Sequence, residues 1–200
     1  MLKVRNGEAD EDDYYMKFFG KNDKDGPGTW EECPAPGRLV AFDPDTMPIQ
    51  MARTAVDTFT VSQIAWDDVL VGTSVTAAEP SFIGNNINRM LFFRNRMVML
   101  SDENVIMSQP GDFFNFWPKS AMTFTTQDVI DLSCSSDTPA IVYDGIQVNA
   151  GLVLFTKNQQ FMLTTDSDIL SPMTAKINAL ANYNFNFKTC PISLGTTLAF

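Results

Sequence analysis

Residues 80–118 read PSFIGNNINRMLFFRNRMVMLSDENVIMSQPGDFFNFWP, and half of this pattern returns at a fixed offset further along the chain. Met97-Val98-Met99-Leu100-Ser101 reappears as Leu152-Val153-Leu154-Phe155-Thr156, and Ile106-Met107 as Phe161-Met162. Each pair brackets a short polar turn, Asp102-Glu103-Asn104 in the first copy and Lys157-Asn158-Gln159 in the second. Apolar runs broken by such turns read as β-hairpins, and a fixed period of this size points to repeated β-modules such as propeller blades. Gly84 and the run ending Leu91-Phe92-Phe93 have a further echo at Gly195 and Leu198-Ala199-Phe200, close to two periods on.

The rest of the chain sets this repeat in context. Of 200 residues, 44% are hydrophobic and 12% aromatic, ample for a buried core. A closed propeller usually has at least four blades, and the region after residue 79 supplies about two. The expectation is therefore an internal or truncated piece of a longer protein, with exposed strand edges that favour aggregation in isolation.

Residues 1–78 predict a small antiparallel β-domain. Asp12 to Phe19 and Thr29 to Cys33 form a hairpin around the Gly-, Asp- and Asn-rich turn Gly20 to Gly28. Arg38 to Phe42, Met47 to Met51, Thr58 to Val61 and Ala65-Trp66 read as further short strands. Residues 68–80 read as a linker, with the repeat region, 79–200, beginning near Glu79. Ala175 to Leu180 is the one stretch of helical composition. The fold class is thus mainly β, a small antiparallel domain followed by incomplete propeller blades.

Several chemistries lack their residues. The chain has no histidine, which removes the commonest general base, the Ser-His-Asp and Cys-His arrangements and the usual zinc sites. Neither GxGxxG nor GxxxxGK[ST] occurs. Lys21 to Glu32 places Asp23, Asp25, Gly26 and Glu32 at calcium-loop positions, but Lys21 stands where an acid is required, which favours a plain hairpin turn. Glu8, Asp10, Glu11, Asp12 and Asp13 read as a solvated charge run, with divalent-ion chelation the alternative. Asp102, Glu103, Asp112 and Asp128 could supply a glycosidase pair, though no pattern fixes two at a catalytic separation. Cys33, Cys134 and Cys190, with no CxxC spacing, read as buried reduced thiols. No cofactor site and no enzyme is expected.

The net charge of −10 disfavours a nucleic-acid binder, which needs a basic footprint. No segment approaches the roughly 20 apolar residues that span a bilayer as a helix. Arg89, Arg94 and Arg96 surround Leu91-Phe92-Phe93. Arginines rising from an apolar strand need partners, which salt bridges or carbonyl contacts between blades or subunits would provide; DNA phosphates are the other option. On an extended strand Arg94 and Arg96 would share one face, directed at carboxylates of a neighbouring blade or subunit. Phe113, Phe114, Phe116 and Trp117 form an aromatic knot read as core or interface.

These residues carry a resemblance. Pro80 to Gly84, Phe92 to Arg96, Leu100 to Asn104 and Phe114 to Pro118 resemble the centre of the nozzle proteins, or tail tubular proteins B, of short-tailed podoviruses of the autographivirus kind. The likeness extends to Tyr14-Tyr15, Trp30, the Asp45 to Pro48 stretch, Asp128 to Leu132 and Leu152 to Leu163. It implies a virion structural protein of the phage tail: a homohexamer below the head-to-tail adaptor protein that contacts tail fibre protein and lets genomic DNA pass without specific binding. An acidic wall suits that passage. The alternatives are a carbohydrate-binding or depolymerising β-propeller and a free-standing receptor-binding module.

Overall fold

Arg94 and Asn95 both take positive φ, 45° and 60°. Two left-handed residues in succession make the tight turn whose twist matches that of paired strands. The turn joins β6 (Ile87–Phe93) to β7 (Arg96–Ser101). Asp102, at φ 47°, then turns β7 into β8 (Asn104–Met107), and β9 (Ile130–Ser133) completes a four-stranded antiparallel sheet of order β6-β7-β8-β9. The computed structural model describes residues 1–5, 13–23, 25–195 and 197–200.

A second four-stranded sheet follows with the same plan: β10 (Asp144–Val148), β11 (Gly151–Phe155), β12 (Gln160–Thr165) and β13 (Ala175–Ala181), in the order β10-β11-β12-β13. The sequence period holds pair by pair. Leu91 opposite Val98 becomes Ile146 opposite Val153, Phe92 opposite Met97 becomes Gln147 opposite Leu152, and Met99 opposite Ile106 becomes Leu154 opposite Phe161. Identical register across three strands preserves which side chains point to which face. The last strands, β9 and β13, depart from the period, because the connection from Met107 to Ile130 is much longer than the one from Thr165 to Ala175.

The chain divides into two compact units, residues 1–78 with 117–123, and residues 79–116 with 124–200. The second holds both four-stranded sheets and the short hairpin β14 (Ile192–Leu194) and β15 (Thr197–Ala199). The first holds a three-stranded sheet of β1 (Leu2–Val4), β2 (Tyr14–Gly20) and β3 (Gly28–Cys33), and a separate hairpin of β4 (Ile49–Ala55) and β5 (Thr58–Gln63). A 3-10 turn at Lys21–Asp23 joins β2 to β3, so the calcium-loop stretch is a hairpin connection. Of the acidic run, Glu8, Asp10, Glu11 and Asp12 lie outside the described residues, whereas Asp13 is buried and lies 2.6 Å from Lys3 Nζ.

Several expectations are corrected. Ala175 to Leu180 is strand, not helix: Ala175 and Ile177 alternate with exposed Lys176 and Asn178, so packing beside β12 overrides helical composition. Arg38 to Phe42 and Ala65-Trp66 are not strands. The first is held by single long-range contacts instead of a ladder: Val69 N–H donates to Val40 O, and Phe42 stacks on Trp117 with centroids 4.9 Å apart. Met47 and Pro48 precede β4. Residues 68–80 are no solvated linker, since Val69, Val71 and Ala77 are buried and Arg38 donates to the carbonyls of Val71, Thr73 and Ala77. Among the described residues the echo at Gly195 to Phe200 builds the short β15, paired with β14 in a two-stranded sheet and not in a third four-stranded one.

The structure is mainly β, with no α-helix among the described residues and no helix long and apolar enough to cross a membrane. Where incomplete propeller blades are expected, the described residues hold two open four-stranded sheets and no closed barrel or propeller.

Candidate functional site: an assembly surface

The second unit is organised by how its sheets stack. Val98 and Leu100 of β7, with Val105 and Met107 of β8 and Ile130 of β9, occupy one face of the first sheet and are buried. They share a core with Leu152, Leu154, Phe161 and Leu163 of the second sheet. By the period, Leu152 and Leu154 correspond to Met97 and Met99, on the opposite face from Val98 and Leu100. One face of the first sheet therefore packs on the other face of the second. This is a head-to-tail contact, which leaves the second sheet presenting the face that the first has already used.

That presented face carries Val153 and Phe155, the counterparts of Val98 and Leu100. It is covered by Phe185, with Tyr143, Ile146, Val148, Met162 and Leu198 around it, so Val153 and Phe155 are buried. Phe200 adds a ring 5.0 Å from Phe155. Beside this cluster runs a groove of about 920 Å³ lined by Val148, Gly151, Val153, Met162, Leu180 and Leu198, among others.

Two arginines bind the sheets together. Arg96 is 1% exposed and its guanidinium donates to four carbonyls: Ser108 and Asp128 at 2.7 Å, Thr126 at 3.0 Å and Leu170 at 3.3 Å. The first three belong to the segments flanking β8 and β9, and Leu170 follows β12, so one cation ties both sheets. Burial pulls its pKa down and the charge of Asp128 opposes that shift; an arginine remains protonated even so. Arg89 Nε lies 3.2 Å from Asp144 Oδ1 at the start of β10.

The expected common face of Arg94 and Arg96 is not formed. Arg94 is a turn residue at φ 45°, outside the strand, so the alternation that would align the two does not apply. It is exposed and donates to Asp168 O at 3.2 Å. The aromatic knot is likewise divided. Phe116 is buried edge-on against Phe82 and Phe113 edge-on against Phe92, with centroids 5.3 and 5.2 Å apart, while Phe114 is half-buried. Trp117 belongs to the first unit, where its Nε1 donates to Asp67 O at 3.0 Å and Arg38 lies 5.5 Å from its ring.

Two of the carboxylates considered for glycoside chemistry, Glu103 and Asp128, bind backbone N–H groups. Glu103 accepts from Ala140 N–H at 3.0 Å and Asp128 from Thr125 N–H at 2.5 Å, while Asp102 turns β7 into β8 and Asp112 belongs to the loop after β8. Cys33 and Cys134 are buried free thiols, whereas Cys190 is an exposed one, contrary to expectation. Burial, helped by the charge of Glu103, pushes the Cys134 thiol up to about 12. Neither the anchoring role of Arg38 nor the face-swapped stacking follows from the expectations above. The period does hold a signal for the stacking, because it pairs Val98 with Val153 whereas the core pairs Val98 with Leu152.

A family model described as bacteriophage nozzle protein matches residues 1–200. The chain belongs to the bacteriophage nozzle protein family. It is 31% identical over 156 residues to tail tubular protein gp12 of Escherichia phage T7, an alignment that covers 78% of this chain and 20% of that relative. The chain thus spans about a fifth of the length of this curated relative. Family membership makes it a component of the virion tail.

Proposed function

We propose that this chain is a non-enzymatic part of the wall of a podovirus tail nozzle, the conduit through which DNA leaves the particle. Residues 1–78 form a platform-like domain, and the two sheets of residues 79–200 are successive blades of a propeller. The observation that carries the propeller reading is the head-to-tail stacking: a sheet that buries one face on the opposite face of its successor can add sheets until a ring closes. The whole protein assembles as a homohexamer, meets the head-to-tail adaptor above and the tail fibres at its side, and passes DNA past acidic walls that do not hold it. The −10 charge and the family assignment support this. Arg89, Arg94, Arg96, Phe113, Phe114, Phe116 and Trp117 act in it as inter-blade or inter-subunit supports; for Arg89 and Arg96 the contacts to Asp144 and Leu170 favour the inter-blade role.

Antibody-gold labelling of purified virions, paired with an assay for sugar release from host polysaccharide, tests the reading. Label confined to the tail and no release that depends on Asp102, Glu103, Asp112 or Asp128 are expected. Label on the head, or cleavage abolished by changing one of these carboxylates, would replace the structural role with another.

A further inference from the structure

The hairpin β4–β5 is exposed along its whole length. Its register places Met51 opposite Val61 and Arg53 opposite Phe59, so Ile49, Met51, Arg53, Phe59 and Val61 share one face. Ile49, Met51, Phe59 and Val61 are each between 57% and 69% exposed. The other face is polar, with Gln50 Nε2 donating to Ser62 Oγ at 3.2 Å. An isolated two-stranded hairpin is marginal in water, and one that turns four large apolar side chains outward is a surface made to be covered.

The same unit carries a second sheet face with exposed apolar side chains. Leu2 lies opposite Met16, Met16 opposite Glu32, and Phe18 opposite Trp30, so Leu2, Met16, Phe18, Trp30 and Glu32 line one side of β1-β2-β3. Leu2, Phe18 and Trp30 are exposed, and Phe18 and Trp30 pack with centroids 5.4 Å apart. The two faces are complementary. Each is apolar and holds a single charge, a cation on the hairpin (Arg53) and an anion on the sheet (Glu32). Glu32 accepts from Ser120 Oγ and Ala121 N–H, and a carboxylate retains acceptor sites for an arginine beyond two such bonds.

We infer that the Ile49–Met51–Val61 face of β4–β5 docks on the Phe18–Trp30 face of a second copy of this chain, with Arg53 meeting Glu32. Two unlike patches in contact make a heterologous interface, which closes into a ring when the rotation permits. The inference rests on the reading of the chain as part of a homo-oligomeric nozzle and names the surfaces that join its subunits.

The test uses the purified protein with Cys190→Ser removing the exposed thiol. Val61→Cys combined with Trp30→Cys should give a ladder of disulfide-linked subunits under mild oxidation, and Gln50→Cys with Trp30→Cys, on the hairpin's polar face, should not. Met51→Asp, at an exposed position, should leave the circular dichroism unchanged and dissociate the oligomer in light scattering. An oligomeric parent that gives no Val61–Trp30 link, or that stays assembled with Met51→Asp, overturns the docking alone. A parent that is monomeric at every concentration overturns the homo-oligomeric reading, and the docking falls with it.

Discussion

Arg89 and Asp144 occupy the same position in successive sheets, one repeat apart, and meet with Nε and Oδ1 at 3.2 Å. A single repeat position carries a cation in one copy and an anion in the next. The repeat is thus differentiated so that neighbouring copies attract at the junction of β6 and β10. Asp144 is 8% exposed at its side chain and Arg89 47%, so the ion pair itself contributes little, while an unpaired Asp144 would be costly.

Arg89→Ala should therefore lower stability by about 1 kcal/mol, and Arg89→Ala with Asp144→Ala by less than the sum of the two single changes. Urea unfolding of the four proteins of this cycle measures the coupling.

Arg96→Met should cost roughly 3 kcal/mol or more, because it leaves the carbonyls of Ser108, Thr126, Asp128 and Leu170 without their donor inside the protein. Arg96→Lys should recover only part of the loss, since an ammonium cannot span the planar arrangement. Urea midpoints rank the three proteins, and equal midpoints for all would remove Arg96 from its linking role.

Gly151 occupies the repeat position of Arg96, and a Cβ there would lie 2.3 Å from the carbonyl oxygen of Leu163. Backbone cannot yield as a flexible side chain can. Gly151→Ala should destabilise by roughly 1–3 kcal/mol, seen as a lower thermal midpoint.

The thiols differ sharply in exposure. A thiol reagent on the native protein should modify Cys190 rapidly and Cys134 only on unfolding, since Cys134 is buried. The Cys134 pKa is raised from 9.0 to about 12, so its protonated form is favoured by folding. Stability should be indifferent to this group below about pH 9 and fall between about pH 9 and 12 by on the order of 1.4 kcal/mol per pH unit, as the unfolded chain alone loses the proton. Cys134→Ala should lack this alkaline component in pH-dependent unfolding.

What the sequence makes legible follows from where the information lies. β6, β7, β10 and β11 can be read directly because a strand pair joined by a short turn is a local object, its apolar run, turn and register all set by near neighbours. Arg38 to Phe42 and residues 68–80 escape a local reading because their conformation is set by partners far along the chain, Trp117 and Val69 for the first and Arg38 for the second. Ala175 to Leu180 has helical composition, and only its place beside β12 makes it a strand. One turn separates Arg94 from the strand of Arg96, and Arg-Asn at positive φ is a weaker turn signal than Asn-Gly. Cys190 carries no local mark of its exposure.

The central claim is that the sheets stack head to tail as successive blades, and an electron cryo-microscopy map of the assembled nozzle tests it most directly. The account predicts that β14–β15, whose Leu198 packs on the Val153–Phe155 cluster, joins a third four-stranded sheet in the relation that the second sheet bears to the Val98–Leu100 face of the first. A map in which β14–β15 joins no further sheet, or in which the next sheet packs elsewhere, would contradict it.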